Sequence, residues 1–261
     1  VSYDGSRIII GEKGFGSGGA YYRGKAYVYS FNGSTYNPFG EFEGYNSNDR
    51  LGYSVSISDD GNIIAAGAPF DDTGGAGDAG KVKIFQYNGS QWLNLGADIY
   101  GLNSQEFSGW SVDLNESGDI IAIGAPGDLG STNAIPGLVR IFNWDGNNWN
   151  QLGNDLNGMN NSDGFGQCVS LSNDGHTIII GAPQLNITHD GYVKAYSFDG
   201  SNWNQLGSSL YGDTDDQFGF SVSLSGNAHS IAVGANSGDW YDANQYVNVY
   251  DLCFLLCLFL D

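Results

Sequence analysis

The stretch "SGWSVDLNESGDIIAIGAP", residues 108–126, joins two apolar segments through a short polar turn. Both segments recur along the chain. A glycine that opens a short "xSVS"-like segment stands at Gly52, Gly109, Gly166 and Gly219. An aliphatic run ends in glycine at Gly11, Gly67, Gly124, Gly181 and Gly234. The interval is about 57 residues, and a fixed period of this size indicates stacked copies of one supersecondary unit.

Each copy contains two further segments. One alternates before a turn, as in "GKVKIFQYNG" at 80–89, and the other begins with an aromatic residue, as at Trp92, Trp149 and Trp203. Short segments rich in Val, Ile, Tyr, Phe and Trp, separated by Asn-Gly or Asp-Gly, are typical of successive β-hairpins. Helical spacing is absent. The sequence therefore predicts an all-β fold, a β-propeller of four-stranded antiparallel blades.

Position within a blade follows from side-chain type. The run "IIAIGA" is apolar on both faces, as expected of a strand sandwiched between two neighbouring blades. The glycine and serine of "xGxSVS" keep the innermost strand thin where blades crowd the axis. We expect the three tryptophans to lie on the outermost strands and to cover the blade interfaces.

We assign the propeller to residues 1–251, with repeats at about 1–43, 44–100, 101–157, 158–211 and 212–251. The first and last repeats are incomplete, so we favour a fragment of a larger ring, such as one of seven blades, over a closed ring of five. The apolar tail 252–261 departs from the repeat and reads as an outer strand, the start of an anchor or out-of-frame sequence. It is shorter than the roughly 20 residues that cross a bilayer. We predict no membrane span within the repeats.

The charge balance excludes one class of partner. The net charge is −20, from 9 Lys and Arg against 29 Asp and Glu. Such a surface repels phosphate backbones, so we expect no nucleic-acid binding.

The three cysteines, Cys168, Cys253 and Cys257, are odd in number and show no disulfide or zinc spacing, which favours free thiols. No nucleophile elbow, phosphate loop or paired His-carboxylate motif is present, so the sequence does not predict an enzyme.

The segments "FGxS", "IxxGAP" and "GxVxIY" resemble the FG-GAP repeats of integrin α chains. The longer pattern "FGFSVSLS…IAVGA" with "WNQLG" is similar to secreted and surface repeat proteins of marine microbes and algae. The resemblance implies a non-catalytic propeller, extracellular or at the cell surface, used in adhesion or recognition, often with calcium in its loops. The alternative is an accessory propeller attached to a secreted hydrolase.

Calcium is a possible ligand, although no cofactor is required. Family calcium loops resemble Asp-x-Asp-x-Asp-Gly-x-x-Asp, which gathers the hard oxygen ligands that the ion prefers. On this pattern Asp113, Asn115 and Ser117 take the first three ligand places, and Asp119 adds a further oxygen. The ninth place is the apolar Ile121. We favour the simpler interpretation, a turn in which Asp, Asn or Ser bonds the local backbone.

A second set of acidic residues recurs three places before each inner-strand glycine: Asp49, Glu106, Asp163 and Asp216. The favoured role is to accept backbone N–H bonds where the strand begins. The alternative is an acidic ring at one mouth of the central channel, which would attract cations.

The third candidate set lies in the loops after the aliphatic runs, which vary in length while the scaffold is constant. Recognition surfaces are commonly built in this way. We expect a protein or glycan partner to bind this face. The predicted contact residues are Tyr21, Tyr22, Arg23, Asp71, Asp72, Asp128, His189, Asp190, Asp239, Trp240 and Tyr241.

Overall fold

The computed structural model describes residues 1–16, 21–72, 77–128, 136–184, 190–213, 216–236 and 245–252. All regular elements in these ranges are β-strands, twenty in number. They form five separate antiparallel sheets in which consecutive strands are neighbours. This is the predicted blade arrangement, and we number the sheets as blades 1 to 5.

Blades 2, 3 and 4 share one strand order, from an inner strand through a second and a third to an outer strand. Among the described residues, blade 1 has the last three of these strands and blade 5 has the first three. Blade 1 contains β1 (Arg7–Glu12), β2 (Lys25–Phe31) and β3 (Tyr36–Glu43). Blade 2 contains β4 (Val55–Ile57), β5 (Ile63–Ala68), β6 (Lys81–Tyr87), β7 (Trp92–Asn94) and β8 (Ile99–Tyr100). Blade 3 contains β9 (Ser111–Leu114), β10 (Ile120–Ala125), β11 (Leu138–Trp144), β12 (Trp149–Gln151) and β13 (Leu156–Asn157).

The remaining strands complete the order. Blade 4 contains β14 (Cys168–Leu171), β15 (Thr177–Ala182), β16 (Tyr192–Phe198) and β17 (Trp203–Tyr211). Blade 5 contains β18 (Ser221–Leu224), β19 (Ser230–Ala235) and β20 (Tyr246–Asp251). In blades 2 and 3 the outer strand is split into two short segments that pair with the third strand. Within the described ranges, no helix is long and apolar enough to cross a membrane.

The core lies between blades rather than within them. Both β5 and β10 are buried along their whole length, because each is covered by a neighbouring blade on either side. One apolar cluster joins Ile141 of blade 3 to Ile178 and Ile180 of blade 4. Each fully buried side chain of this size contributes about 1.5–3 kcal/mol. Stacking of successive sheets therefore supplies most of the stabilisation.

A pair of glycines sets the spacing between blades. A Cβ atom on Gly124 of blade 3 would lie 2.1 Å from the carbonyl oxygen of Gly166 in blade 4. The same close approach recurs between Gly67 and Gly109 at 2.0 Å, between Gly181 and Gly219 at 2.0 Å, and between Gly11 and Gly52 at 1.9 Å. We call each pair a glycine joint. Only a residue without a side chain fits there.

The outer strands are fastened by tryptophan. The indole Nε1 of Trp149 donates to the carbonyl oxygen of Leu95 in the preceding blade at 2.8 Å. Trp203 donates in the same way to Leu152 at 2.8 Å, and Trp92 to Phe39 at 3.3 Å. The expectation that these residues cover the blade interfaces is confirmed.

The glycine joints give the first prediction. We expect Gly124→Ala to lower the free energy of unfolding by about 3 kcal/mol, because the new methyl group meets backbone that cannot move aside. Urea unfolding measures the change. The matched control is Gly234→Ala in blade 5, where an added Cβ meets the Ser221 side chain but no backbone closer than 3.8 Å. Equal losses in the two variants would contradict the role of the joint.

Candidate functional site

The antiparallel strand order gives the propeller two different faces. Turns after the inner and third strands lie on one side, which we call the turn face. Loops after the second strand and connections between blades lie on the other side, the loop face. The predicted contact residues belong to the loop face, and the predicted calcium loop belongs to the turn face.

On the turn face, the segment around Asn115 is held by its own hydrogen bonds. The Asn115 Oδ1 accepts the N–H of Ile120 at 2.9 Å, and its Nδ2 donates to Asp119 Oδ1 at 2.9 Å. The Ser117 hydroxyl donates to the same Asp119 oxygen. Sister turns repeat this pattern, with Ser58 and Ser172 accepting the N–H groups of Ile63 and Thr177. Local bonding of this kind is what the turn interpretation predicts.

Asp113 does not join Asn115, Ser117 and Asp119 in one ligand set. Its Oδ2 accepts the N–H of Leu171 in blade 4 at 2.8 Å, and its Oδ1 accepts the Ser56 hydroxyl of blade 2 at 3.2 Å. The reason is that β9 ends at Leu114: Asp113 still belongs to the inner strand, which packs beside the inner strands of blades 2 and 4, whereas Asn115 begins the turn. In the part of the chain that the structure describes, no group of three His, Cys, Asp or Glu side chains is arranged to hold a metal ion.

The inner strands bring polar side chains of different blades together. Burial raises the pKa of Asp113 to about 6, against the lowering effect of its hydrogen bonds. Cys168 is a free thiol, as expected, and burial raises its pKa as well. Its Sγ accepts the N–H of Val222 at 3.5 Å. Cys253 and Cys257 lie outside the described residues.

An acidic cleft of about 510 Å³ lies on the turn face. Its walls carry Asp59, Asp60, Glu116, Asp119, Asp174 and His176. The turns that form it are tied together by backbone bonds, from Asp59 N to Glu116 O at 3.0 Å and from Glu116 N to Asn173 O at 3.1 Å. Burial and the nearby carboxylate of Glu116 raise the pKa of Asp59. The cleft can attract cations, although several of its oxygens are already used by the turns.

The four periodic acids Asp49, Glu106, Asp163 and Asp216 are buried. Asp163 Oδ2 accepts the N–H groups of Met159 at 2.7 Å and Asn160 at 3.1 Å. Asp216 and Glu106 accept backbone N–H groups at equivalent points of their repeats. Their carboxylates hold the connection that leads into each inner strand, which is the first of the two predicted roles.

Each of these acids also faces the third strand of its own blade. Arg140 forms an ion pair with Glu106, and the hydroxyl of Tyr192 donates to Asp163 at 2.5 Å. The hydroxyl of Tyr246 donates to Asp216. Burial, with a smaller effect from the nearby carboxylate of Asp71, raises the pKa of Asp49 to about 6. These carboxylates are therefore occupied within the fold.

The predicted contact residues divide by exposure. Tyr21 and Tyr22 are 68% and 50% exposed, and Asp72 is exposed as well. Arg23 forms an ion pair with Glu43. Asp128 and Asp190 are half-buried. The remaining predicted residues His189, Asp239, Trp240 and Tyr241 lie outside the described residues.

Asp71 is a correction to the predicted set. It is 1% exposed and its Oδ2 lies 2.6 Å from the Nζ of Lys81, so it belongs to the interior. The reason is that Lys81, at the start of β6, is itself buried and needs a counter-ion there. The sequence indicated a loop position but gave no sign of this pairing.

The main apolar feature of the loop face, which we call the aromatic patch, was not predicted from the sequence. Its members are the half-buried rings of Tyr53, Phe70, Phe107 and Trp110. The Tyr53 and Trp110 centroids are 4.6 Å apart, and those of Phe70 and Phe107 are 5.2 Å apart. Two members fill the "x" of the "xGxSVS" segment. That position is aromatic in three of its four copies, at Tyr53, Trp110 and Phe220, which is the signal that could have revealed it.

Cations border the aromatic patch. The Arg50 guanidinium stacks on Phe70 at 4.2 Å and lies 5.5 Å from the Tyr22 ring. The Lys13 ammonium lies 4.5 Å from the Tyr53 centroid. The Nε of Arg50 is sealed from solvent and makes no hydrogen bond. Aromatic rings beside an arginine form the combination that most often dominates binding interfaces.

Further apolar side chains protrude at the rim of the same face. Tyr45, Leu102 and Met159 are 87%, 71% and 42% exposed, and each follows the glycine that ends an outer strand. Their equivalent places in successive blades arrange them as an arc. The loop face thus combines an aromatic centre with an apolar rim. Carboxylates and amides line the cleft of the turn face, which also exposes Tyr3.

The comparisons with known proteins agree with this architecture. Residues 43–85 match the family model of the FG-GAP repeat. The matched segment includes Gly52 and Gly67, a glycine of each recurring motif, and the predicted resemblance to an FG-GAP β-propeller is confirmed. FG-GAP repeats are typical of extracellular or surface proteins and suggest a protein-interaction module. A search of curated proteins found no match.

Solved structures show the same fold at low sequence identity. A structure named as a proposed 6-phosphogluconolactonase from Bacteroides uniformis has a TM-score of 0.58 and 13% identity, over 94% of this chain and 67% of its own. A protein of unknown function from Desulfotomaculum acetoxidans gives 0.54 and 11%, over 87% and 63%. The propeller of Dos1 gives 0.52 and 11%, over 90% and 52%. This chain thus spans between about half and two thirds of the structures it matches.

The carboxylate of Asp113, between the inner strands, gives the second prediction. The pKa of Asp113 is raised from 3.8 to about 6 in the folded chain, so its contribution to stability falls as the pH rises through that window. We expect Asp113→Asn to raise the free energy of unfolding at pH 7.5 by on the order of 1–3 kcal/mol and to change it little at pH 4. Urea unfolding at both pH values measures this. A variant that is less stable at pH 7.5 would show that the charged form is needed.

Proposed function

We propose that this chain is a non-catalytic recognition propeller, secreted or at the cell surface, that binds a protein or glycan partner through its loop face. The aromatic patch with Arg50 is the observation that supports it most. The four rings pack on one another, yet each leaves part of its apolar surface open to solvent. Their arrangement suits a partner that covers them.

The contrast between the two faces supports this choice. On the turn face, side chains such as Asn115 and Ser58 are used by the turns themselves. On the loop face, Tyr22, Tyr45 and Leu102 extend into solvent. Large exposed apolar groups beside polar ones mark interaction sites on soluble proteins. Tyrosine and tryptophan rings also suit either candidate partner, because they stack on apolar surfaces and keep a hydrogen-bonding group.

The chemistry of the described residues supports a role in binding rather than catalysis. Cys168, the described thiol, has a raised pKa and is therefore a weak nucleophile at neutral pH. His176 stacks on Phe198 at the exposed turn face, with Asp174 at 3.9 Å. The alternative, an accessory module of a larger secreted hydrolase, uses the same loop face and requires a catalytic domain elsewhere in the protein.

The third prediction tests whether the partner binds to the loop face. The labelled chain is screened against immobilised glycans and extracellular proteins, and each ligand found is measured again with variants. We expect Trp110→Ala to weaken binding by about 30-fold, the loss of roughly 2 kcal/mol that is typical of an aromatic anchor. The control is Tyr3→Ala, which removes an aromatic ring that is 86% exposed on the turn face.

Circular dichroism and urea unfolding check that both variants keep the fold. Binding that survives Trp110→Ala and is lost in Tyr3→Ala would place the site on the turn face and overturn the proposal.

A further inference from the structure

Comparison of equivalent positions in the blades singles out one cation. Lys194 is the third residue of β16, the place that Lys83 has in β6 and Arg140 has in β11. In blade 2 the Nζ of Lys83 lies 3.6 Å from Asp98 Oδ2. In blade 3 the Nε of Arg140 lies 3.3 Å from Asp155 Oδ2. Each cation thus pairs with an aspartate on the outer segment of its own blade.

Blade 4 lacks this aspartate. The three outer segments read "WLNLGAD" at 92–98, "WNQLGND" at 149–155 and "WNQLGSS" at 203–209, so Ser209 stands where the others have Asp. Val193 pairs with Leu210 across the sheet, which puts Ser209 next to the position facing Lys194. Blade 4 therefore has the cation of this position but not the carboxylate that accompanies it in blades 2 and 3.

The surroundings of Lys194 supply rings instead of a counter-ion. Its ammonium lies 5.8 Å from the centroid of Phe165 and 5.6 Å from that of Tyr192. Among the described residues no carboxylate lies within ion-pair distance of it. The nearest charge, Asp163, is already bonded to the Tyr192 hydroxyl and to backbone N–H groups. Burial lowers the pKa of Lys194, and Asp163 opposes that shift only in part.

The ammonium is nevertheless placed to meet a partner. Lys194 is 9% exposed, and its Nζ is not among the sealed side-chain atoms that lack a hydrogen bond. Most of the side chain is therefore packed, and a long cationic side chain ordinarily keeps its charged end at the part that meets water. The Tyr192 ring, which the ammonium approaches, lies 6.1 Å from that of Tyr211, and the Tyr211 hydroxyl is 4.0 Å from the sulfur of Met159. Tyr211 and Met159 are 57% and 42% exposed. A cation next to two exposed apolar groups can pair with an acid and pack against its stem.

We propose that Lys194, with Tyr211 and Met159, is a second contact point of the loop face, at the edge between blades 3 and 4, and binds an Asp or Glu side chain of a partner protein. This deepens the proposed function by naming one chemical group of the partner. A protein side chain is favoured over a uronic acid because the sister blades seat an aspartate carboxylate at the same place. An incoming carboxylate would take the position that Asp98 and Asp155 have in their blades.

The fourth prediction uses the lysines as reporters. The chain has five, at positions 13, 25, 81, 83 and 194, so the ¹³Cε–¹Hε signals of labelled lysine are few and can be assigned by substitution. The probe is N-acetyl-aspartate methylamide, compared with the asparagine analogue at constant ionic strength. We expect a saturable shift of the Lys194 signal with the aspartate probe alone. The Lys83 signal should stay in place because Asp98 already pairs with it.

Two exchanges between blades sharpen the test. Ser209→Asp restores the sister ion pair, so we expect the Lys194 response to disappear and the pKa of Lys194 to rise. Asp98→Ser should give Lys83 the response that it lacks. A Lys194 shift no larger than that of the exposed Lys13, or one that persists in Ser209→Asp, would overturn the proposal. So would a silent Lys83 in Asp98→Ser.

A further arm identifies the source of the carboxylate. A stronger response to glucuronate than to the aspartate probe would assign the site to a glycan and overturn the protein partner. These measurements need no identified partner, so they are independent of the Trp110→Ala test. A partner that depends on Trp110 while Lys194 stays silent would leave the proposed function intact and remove only this contact.

Discussion

The architecture depends on the contact of two backbones at each glycine joint. A side chain on Gly67 or Gly124 would collide with a carbonyl oxygen of the next blade, so adjacent sheets can approach closely only at these residues. The approach brings the second strands into a position where both faces are covered, which explains why β5 and β10 are buried along their whole length. It also brings each outer tryptophan within reach of a carbonyl oxygen of the preceding blade. Burial of apolar surface stabilises the stack, but the glycines determine that it forms.

The sequence predicted the blades because their signals are local and repeated. The period, the paired glycines and the tryptophans each appear several times, so a chance match at one copy does not matter. The site residues were harder to predict because they depend on contacts between blades. The motif grouped Asp113 with Asn115, but the strand ends between them, so Asp113 stays in the inner strand and bonds to Leu171 of another blade while Asn115 begins the turn. In the same way, Asp71 was read as a loop residue, but Lys81 draws it into the interior. The aromatic patch was not predicted because, in the segment that contains Tyr53 and Trp110, only the small glycine and serine residues were interpreted.

Because Lys and Arg residues are few, the interaction partners of each one can be compared. Carboxylates greatly outnumber cations in this chain, with 29 Asp and Glu against nine Lys and Arg. Lys81, Lys83 and Arg140 pair with carboxylates inside the blades. On the turn face, Arg7 instead donates to the carbonyl oxygen of Gly61. Three further cations form no ion pair with a described residue and lie near aromatic rings: Lys13, Arg50 and Lys194. These three cations are on the loop face, where apolar side chains are also exposed.

Backbone hydrogen bonds join the turns of successive blades in the same way along the chain. Glu116 accepts the N–H of Asp59 from the blade before and donates its own N–H to Asn173 of the blade after, and Asn173 donates in turn to Gly226. Each blade therefore carries a donor on one side and a matching acceptor on the other. A duplicated blade could form the same hydrogen bonds with both of its neighbours. Deletion of a blade would leave a donor and an acceptor that can pair with each other. The stack of blades can grow or shrink by whole units through gene duplication, while the loops of each new unit are free to diverge.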